Sequence, residues 1–256
     1  MHLGSTPLRD LSADNWIHAL PKRFIFRMVD HRDCARFFKD GELRSKNHPQ
    51  AQLCHQASYA EIVSRRGGPG LSTPAGHVIN DHVAFYFSPL TGMAFAIHSG
   101  HVNSLSPDGA LLGKATMDDR VFFVANVENF RDSGREYWFS NIACNSLAPA
   151  PSFTDNLDAI ENHVAWDLFD ESPIAGRITE IGYTGCTTWQ HNRDDPPRYQ
   201  NRKQKRMAEF LVRDAVPLSM FDCIICKSGL IKTAVEGMMQ GTNVDLPIYV
   251  KPGCYY

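Results

Sequence analysis

Apolar runs of strand length are irregularly spaced along this chain, and that spacing limits the fold more than any other feature. Runs at 82–87 (HVAFYF), 121–127 (VFFVANV), 177–183 (RITEIGY), 208–214 (AEFLVRD), 221–227 (FDCIICK) and 245–251 (DLPIYVK) predict strands, being rich in β-branched and aromatic residues. Helical patterns fall between some of these runs and not others. Asp30 is placed to cap a helix over 31–40, with Cys34, Phe37 and Phe38 as its buried stripe and Gly41 as its stop. A second helix is expected over about 50–65. A third opens at Thr154 or Asp155 with Leu157, Ile160, Val164 and Leu168 on one face, and a short one lies near 231–240, stopped by Gly241. A doubly wound sheet needs regular strand–helix alternation, so the pattern points to an α+β fold instead. No repeat, low-complexity tract or long linker divides the chain, and one domain over 1–256 is expected.

The charge balance excludes some partners and then admits one. Against 28 Asp and Glu stand 26 Lys and Arg, a formal charge of −2, which excludes a protein that coats nucleic acid by bulk attraction. Locally the balance differs. Residues 155–180 carry seven acids and one base, Arg177, whereas 198–206 (RYQNRKQKR) carry five bases and no acid. A patch that basic, with Tyr199 inside it and Trp189 ahead of it, suits either a single nucleic-acid strand or a solvated face. No apolar run approaches the roughly 20 residues of a membrane helix, and the first residues lack the apolar core of a signal peptide, so a cytoplasmic protein is expected. Seven scattered cysteines suit free thiols. Cys223 and Cys226 have no second pair or nearby His pair and read as a buried strand, a metal protein being the alternative; no metal is expected.

Three features carry chemistry. Arg65-Arg66 close a helix just before a Gly/Pro-rich loop, Phe85-Tyr86-Phe87 form an aromatic strand, and Glu209 is an acid opening an otherwise apolar strand. On that strand Glu209, Leu211 and Arg213 share one face. By itself such a Glu is as well explained by a solvent-facing strand edge.

Together these segments resemble a known family. HVINDHVAFYFSPLTGMAFAIHSG at 77–100 resembles the signature strand and helix of the DarT toxins, ADP-ribosyltransferases that modify bases in single-stranded DNA. KRMAEFLV at 205–212 is similar to the motif carrying their catalytic glutamate. ASYAEIVSRRG at 57–67 is similar to their helix ending in paired arginines, the second of which is catalytic. The likeness runs from about 24 to 100 and from about 188 to 256, leaving 1–20 as an N-terminal extension and 101–180 as family-variable insertions.

The resemblance implies a split mixed β-sheet core flanked by helices, NAD as substrate, single-stranded DNA as acceptor and a monomeric enzyme acting as a toxin. Its implied partner is a DarG-like macrodomain antitoxin that hydrolyses the modification. Glu209 and Arg66 are the implied catalytic residues, and Arg27, Tyr86, Met93 and Ser140 the implied NAD contacts. Arg27 stands where the family commonly has a His, Ser140 lies in Phe-Ser-Asn-Ile in place of Phe-Thr-Asp-Gly, and Met207 replaces the usual Gln before Ala-Glu. Arg198, Arg202, Lys203, Lys205 and Arg206, in the stretch where such enzymes recognise the acceptor, would contact phosphates. Thymine is the favoured base and guanine the second choice. RNA or protein acceptors, and a non-catalytic nucleic-acid-binding module, are the alternatives.

Physical need agrees with these roles. Cleaving the nicotinamide–ribose bond develops positive charge on the sugar, which a fixed carboxylate stabilises. A guanidinium grips a diphosphate, or positions a base, with a planar fork that Lys lacks. Removing Glu209 is accordingly expected to abolish transfer with little change in stability.

Overall fold

The computed structural model describes residues 21–190 and 200–256; the N-terminal extension 1–20 and Arg198 lie outside the described residues. Its strands are β1 (Phe24–Asp30), β2 (Glu42–Arg44), β3 (His82–Tyr86), β4 (Asn103–Leu105), β5 (Leu111–Lys114), β6 (Arg120–Asn126), β7 (Tyr137–Ser140), β8 (Phe153–Thr154), β9 (Glu209–Arg213), β10 (Ala215–Pro217), β11 (Cys223–Cys226) and β12 (Ile248–Val250). The α-helices are α1 (Cys34–Asp40), α2 (Ala60–Arg66), α3 (Gly92–His98), α4 (Ile160–His163), α5 (Arg202–Lys205) and α6 (Gly229–Met239). Eight strands form one sheet in the order β12-β11-β6-β1-β3-β9-β7-β8. Among the described residues only β11 and β12 pair in parallel, so the sheet is mixed and the fold α+β.

Strand alternation sends side chains to two apolar layers. Ile25, Phe85, Phe123 and Phe210 join Phe37 and Phe38 of α1 and Val235 of α6 on one face. Phe24, Phe26, Phe122 and Val124 join Ala94 and Ile97 of α3 on the other. The seam that matters for function lies between β1 and β3. These strands share a single register position, Phe26 opposite Tyr86. Arg27, Met28, Val29 and Asp30 of β1 and His82 and Ala84 of β3 line a cavity, while the two strands complete their ladders with β6 and β9 on their other edges.

Several expectations change. The helix expected over 50–65 exists only from Ala60, because side chains hold the preceding segment extended. Gln52 Nε2 donates to Asp40 Oδ2 at 2.8 Å and to the Glu42 carbonyl at 3.0 Å, and the His55 N–H donates to Asp33 Oδ2 at 2.9 Å. The run at 177–183 is a turn closed by one Ile178–Tyr183 bridge, with Gly182 at φ +82°, not a strand. The third helix is broken into the α4 turn between two 3₁₀ turns, although Leu157, Ile160, Val164 and Leu168 are all buried as their spacing requires. Asp30 does cap the following turn, accepting the Arg32 N–H at 3.1 Å, and Gly41 ends α1 at φ +72°. The 101–180 stretch supplies β6 beside β1 and β7 beside β9, so it builds part of the core sheet.

Cys223 and Cys226 are fully buried in β11, and burial pushes their thiols up to about 12 and about 11. Among the described residues no group of three or more His, Cys, Asp or Glu could hold a metal ion, and no helix is long and apolar enough to cross a membrane.

Candidate active site

Glu209 opens β9 directly opposite Tyr86 of β3, so the antiparallel register places both at the same level of the sheet. Arg66 is the last residue of α2, whose axis ends against that level. The two meet in a forked ion pair: Arg66 Nη1 donates to Glu209 Oε1 at 2.9 Å and Nη2 donates to Oε2 at 2.7 Å. A third donor, the Cys144 N–H, reaches Oε1 at 3.2 Å. The Glu209 side chain is only 2% exposed and that of Arg66 14%. Burial would pull the Arg66 guanidinium down, but the adjacent carboxylate outweighs it and holds Arg66 above its ordinary value.

This pair sits in the wall of a cavity of about 410 Å³, within the size range of small-molecule sites. Arg27, Tyr86 and Met93 line the same cavity. Arg27 Nη1 donates to the Ala84 carbonyl at 3.0 Å, and burial followed by repulsion from Arg66 pulls its guanidinium below the ordinary value. Burial and then the Glu209 charge push the Tyr86 phenol up, so it stays protonated. Counting the whole lining, five cations (Arg27, Arg44, Lys46, Arg66, Arg120) face three carboxylates (Asp30, Asp33, Glu209). The excess suits a ligand with more than one negative charge.

Ser140 is placed differently from the expectation of an NAD contact. It is fully buried and absent from the cavity wall; its Oγ accepts the Glu209 N–H at 2.9 Å and donates to the Ile142 carbonyl at 2.6 Å. Its hydroxyl fixes the backbone that carries the carboxylate, so it is a positioning residue.

The basic segment divides. Arg206, expected on the surface, is 0% exposed: Nη1 donates to the Thr188 and Leu168 carbonyls, Nη2 to those of Thr187 and Leu90 and to Ser88 Oγ, and the guanidinium lies 4.6 Å from the Phe169 ring centre. Arg202 is also buried, donating to the Trp189 carbonyl at 2.7 Å and pairing with Glu171 Oε2 at 3.5 Å. Both guanidinium groups are turned inward, onto carbonyls that include those of Thr187, Thr188 and Trp189. Lys203 is exposed, its Nζ 5.6 Å from the Trp189 ring centre, and Lys205 is half-buried.

Sequence reasoning passed over a second group. Asp33 Oδ1 meets His55 Nδ1 at 2.8 Å, tying the extended 51–58 wall of the cavity to the start of α1. Arg120 Nη2 donates to Asp30 Oδ2 at 2.7 Å, and Arg32 forks onto the same carboxylate at 2.8 and 2.7 Å. Asp33 follows Asp30 at capping-box spacing and so reads as a helix signal, while Gln52 and His55 carry no periodicity at all.

Comparison with known proteins places this geometry. The model of the family described as "ssDNA thymidine ADP-ribosyltransferase, DarT" matches residues 26–256. A DNA ADP-ribosyl transferase of Escherichia coli O127:H6 (strain E2348/69 / EPEC) is 23% identical over 245 residues, covering 92% of this chain and 94% of that protein. The structure of Thermus sp. 2.9 DarT in complex with ADP-ribosylated ssDNA superposes with a TM-score of 0.67 at 19% identity, over 91% of this chain and 96% of that one. The same protein in complex with NAD+ gives 0.64 at 17% identity, over 93% and 99%. With a mixed sheet, a forked Arg–Glu pair at its seam and a family match from Phe26 to Tyr256, the chain belongs to the DarT family of single-stranded DNA thymidine ADP-ribosyltransferases.

Proposed function

We propose that this chain is an NAD-dependent mono-ADP-ribosyltransferase that modifies thymine in single-stranded DNA and releases nicotinamide. The observation that carries the reading is the Arg66–Glu209 pair, buried at its base and opening onto a cation-rich cavity. Glu209 is the group available to stabilise positive charge on the ribose as the bond to nicotinamide breaks. Arg66 acts on Glu209: its fork fixes the position of both carboxylate oxygens. Arg27, with Arg66, supplies donors for a diphosphate, and Tyr86 and Met93 furnish the apolar wall. As the base forms the new bond to the sugar it loses a proton. Arg66 cannot accept that proton, and Glu209 can.

Exposed Lys203 and half-buried Lys205 supply charge for the strand, with Arg198 outside the described residues. The unstacked bases of a single strand need no duplex opening. The whole chain works as one domain and as a monomer, and its antagonist is a macrodomain antitoxin that removes the ADP-ribosyl group. These last points rest on the family likeness.

A panel of four mixed-sequence single-stranded oligonucleotides, each lacking one base, tests the assignment. With NAD+ and enzyme, the three that contain thymine should gain mass and the thymine-free one should not. Modification of the thymine-free strand, with loss of modification from the guanine-free one, would move the assignment to guanine.

A further inference from the structure

The backbone at Thr187–Trp189 leads into the segment assigned above to the acceptor, and it is fastened from two directions. Arg206 and Arg202 hold the three carbonyls of this stretch from one side. From the other side comes Tyr256, whose hydroxyl accepts the Trp189 N–H at 2.8 Å. The Tyr256 ring meets Phe95 edge-on at 5.4 Å and lies 6.0 Å from His98, while Phe95 lies 5.8 Å from the Trp189 ring. Lys227 Nζ donates to the Tyr256 carbonyl at 3.3 Å, so the residue is anchored at its backbone as well.

Helix α3 links this cluster to the cavity. Phe95 stands two residues from Met93, which lines the cavity. A Cβ on Gly92 would come within 2.9 Å of the Trp189 indole, and the Gly92 N–H donates to Met207 Sδ at 3.2 Å, two residues before Glu209. Trp189 is therefore seated against the start of α3 and held there at its backbone N–H by Tyr256.

We infer that Tyr256 is a positioning residue for the acceptor strand: through Trp189 it holds the 187–190 backbone beside α3. The inference rests on the transferase reading above and adds a residue that neither touches the cavity nor carries charge. Tyr256→Phe removes the hydroxyl and keeps the ring against Phe95, so folding is preserved. The acceptor KM of a thymine-containing oligonucleotide should rise about five-fold, the worth of one neutral hydrogen bond. The KM for NAD+ and kcat at saturating strand should stay at their wild-type values. An unchanged acceptor KM, or a parallel change in all three parameters, overturns the inference. Failure of the wild-type enzyme to modify any oligonucleotide would instead overturn the functional reading itself, so the two failures are distinguishable.

Discussion

Truncating Arg66 and Glu209, singly and together, asks whether the pair is one unit. At a charge separation of about 4 Å, two unit charges attract by about 4 kcal/mol at an effective dielectric constant near 20. Desolvation offsets much of that while the pair is intact, but breaking it leaves one buried charge alone, at a cost of about 3–5 kcal/mol. Exposure makes the two losses unequal. Without Arg66 the Glu209 carboxylate, 2% exposed, keeps the N–H and thiol of Cys144 as neutral donors and loses its counter-charge. Without Glu209 the Arg66 guanidinium, 14% exposed, turns toward water in the cavity. Arg66→Ala should therefore cost about 3 kcal/mol and Glu209→Ala about 2 kcal/mol, with the double variant close to the larger single loss. For a chain of this size each kcal/mol lowers Tm by about 2–4 °C, so Arg66→Ala should melt about 6–12 °C below the wild type. Thermal and urea melts of the four proteins give the coupling. Additivity of the single losses to within about 0.5 kcal/mol would mean that Arg66 and Glu209 are not one unit, since independent groups add. The ion pair also revises the expectation that Glu209 could be removed without loss of stability.

Ser140→Ala removes the hydroxyl that accepts the Glu209 N–H, and should lower kcat about ten-fold with little change in the KM for NAD+; steady-state kinetics read both. Lys203→Gln with Lys205→Gln should flatten the log–log salt dependence of strand binding by about 1 unit, whereas Arg206→Gln should lower Tm, because Arg206 is buried and donates to the carbonyls of Leu168, Thr188, Leu90 and Thr187. Burial alone would raise the Asp30 carboxyl, but hydrogen bonds from Arg32 and the charge of Arg120 hold it below its ordinary 3.8. A depressed carboxylate contributes stability that is complete above that ordinary value and is lost as pH falls through the lowered one. Melts from about pH 5 down to about pH 3 should thus cost the wild type more than Asp30→Asn.

Much of this site was legible because its strands are short and flanked by distinctive residues. Glu209 is an acid at the head of an apolar run, and the register of β9 on β3 turns that oddity into a partner for Tyr86. Arg66 ends a helix, where a cation is ordinary, and only the 143-residue separation closed by the fold reveals its target. Ser140 reads as a polar contact in sequence because a hydroxyl signals bonding capacity without direction; here that capacity is spent on the backbone of Glu209. The five bases at 198–206 show the same limit. Charge is visible in sequence, but whether a guanidinium faces solvent or a set of carbonyls depends on the 187–189 backbone it packs against. The extended 51–58 wall was hidden for a related reason: its conformation is imposed by Asp33, Asp40 and Glu42, not by its own periodicity.

Whether Glu209 does the chemistry on a single strand is decided by one comparison. Wild-type protein and Glu209→Gln are each given NAD+ and a thymine-containing single-stranded oligonucleotide, and strand mass and free nicotinamide are measured together. The wild type should add one ADP-ribosyl group per nicotinamide released, and the variant should leave the strand at its starting mass. An unmodified strand with the wild type, or equal modification by the variant, would mean that Glu209 does not carry this reaction.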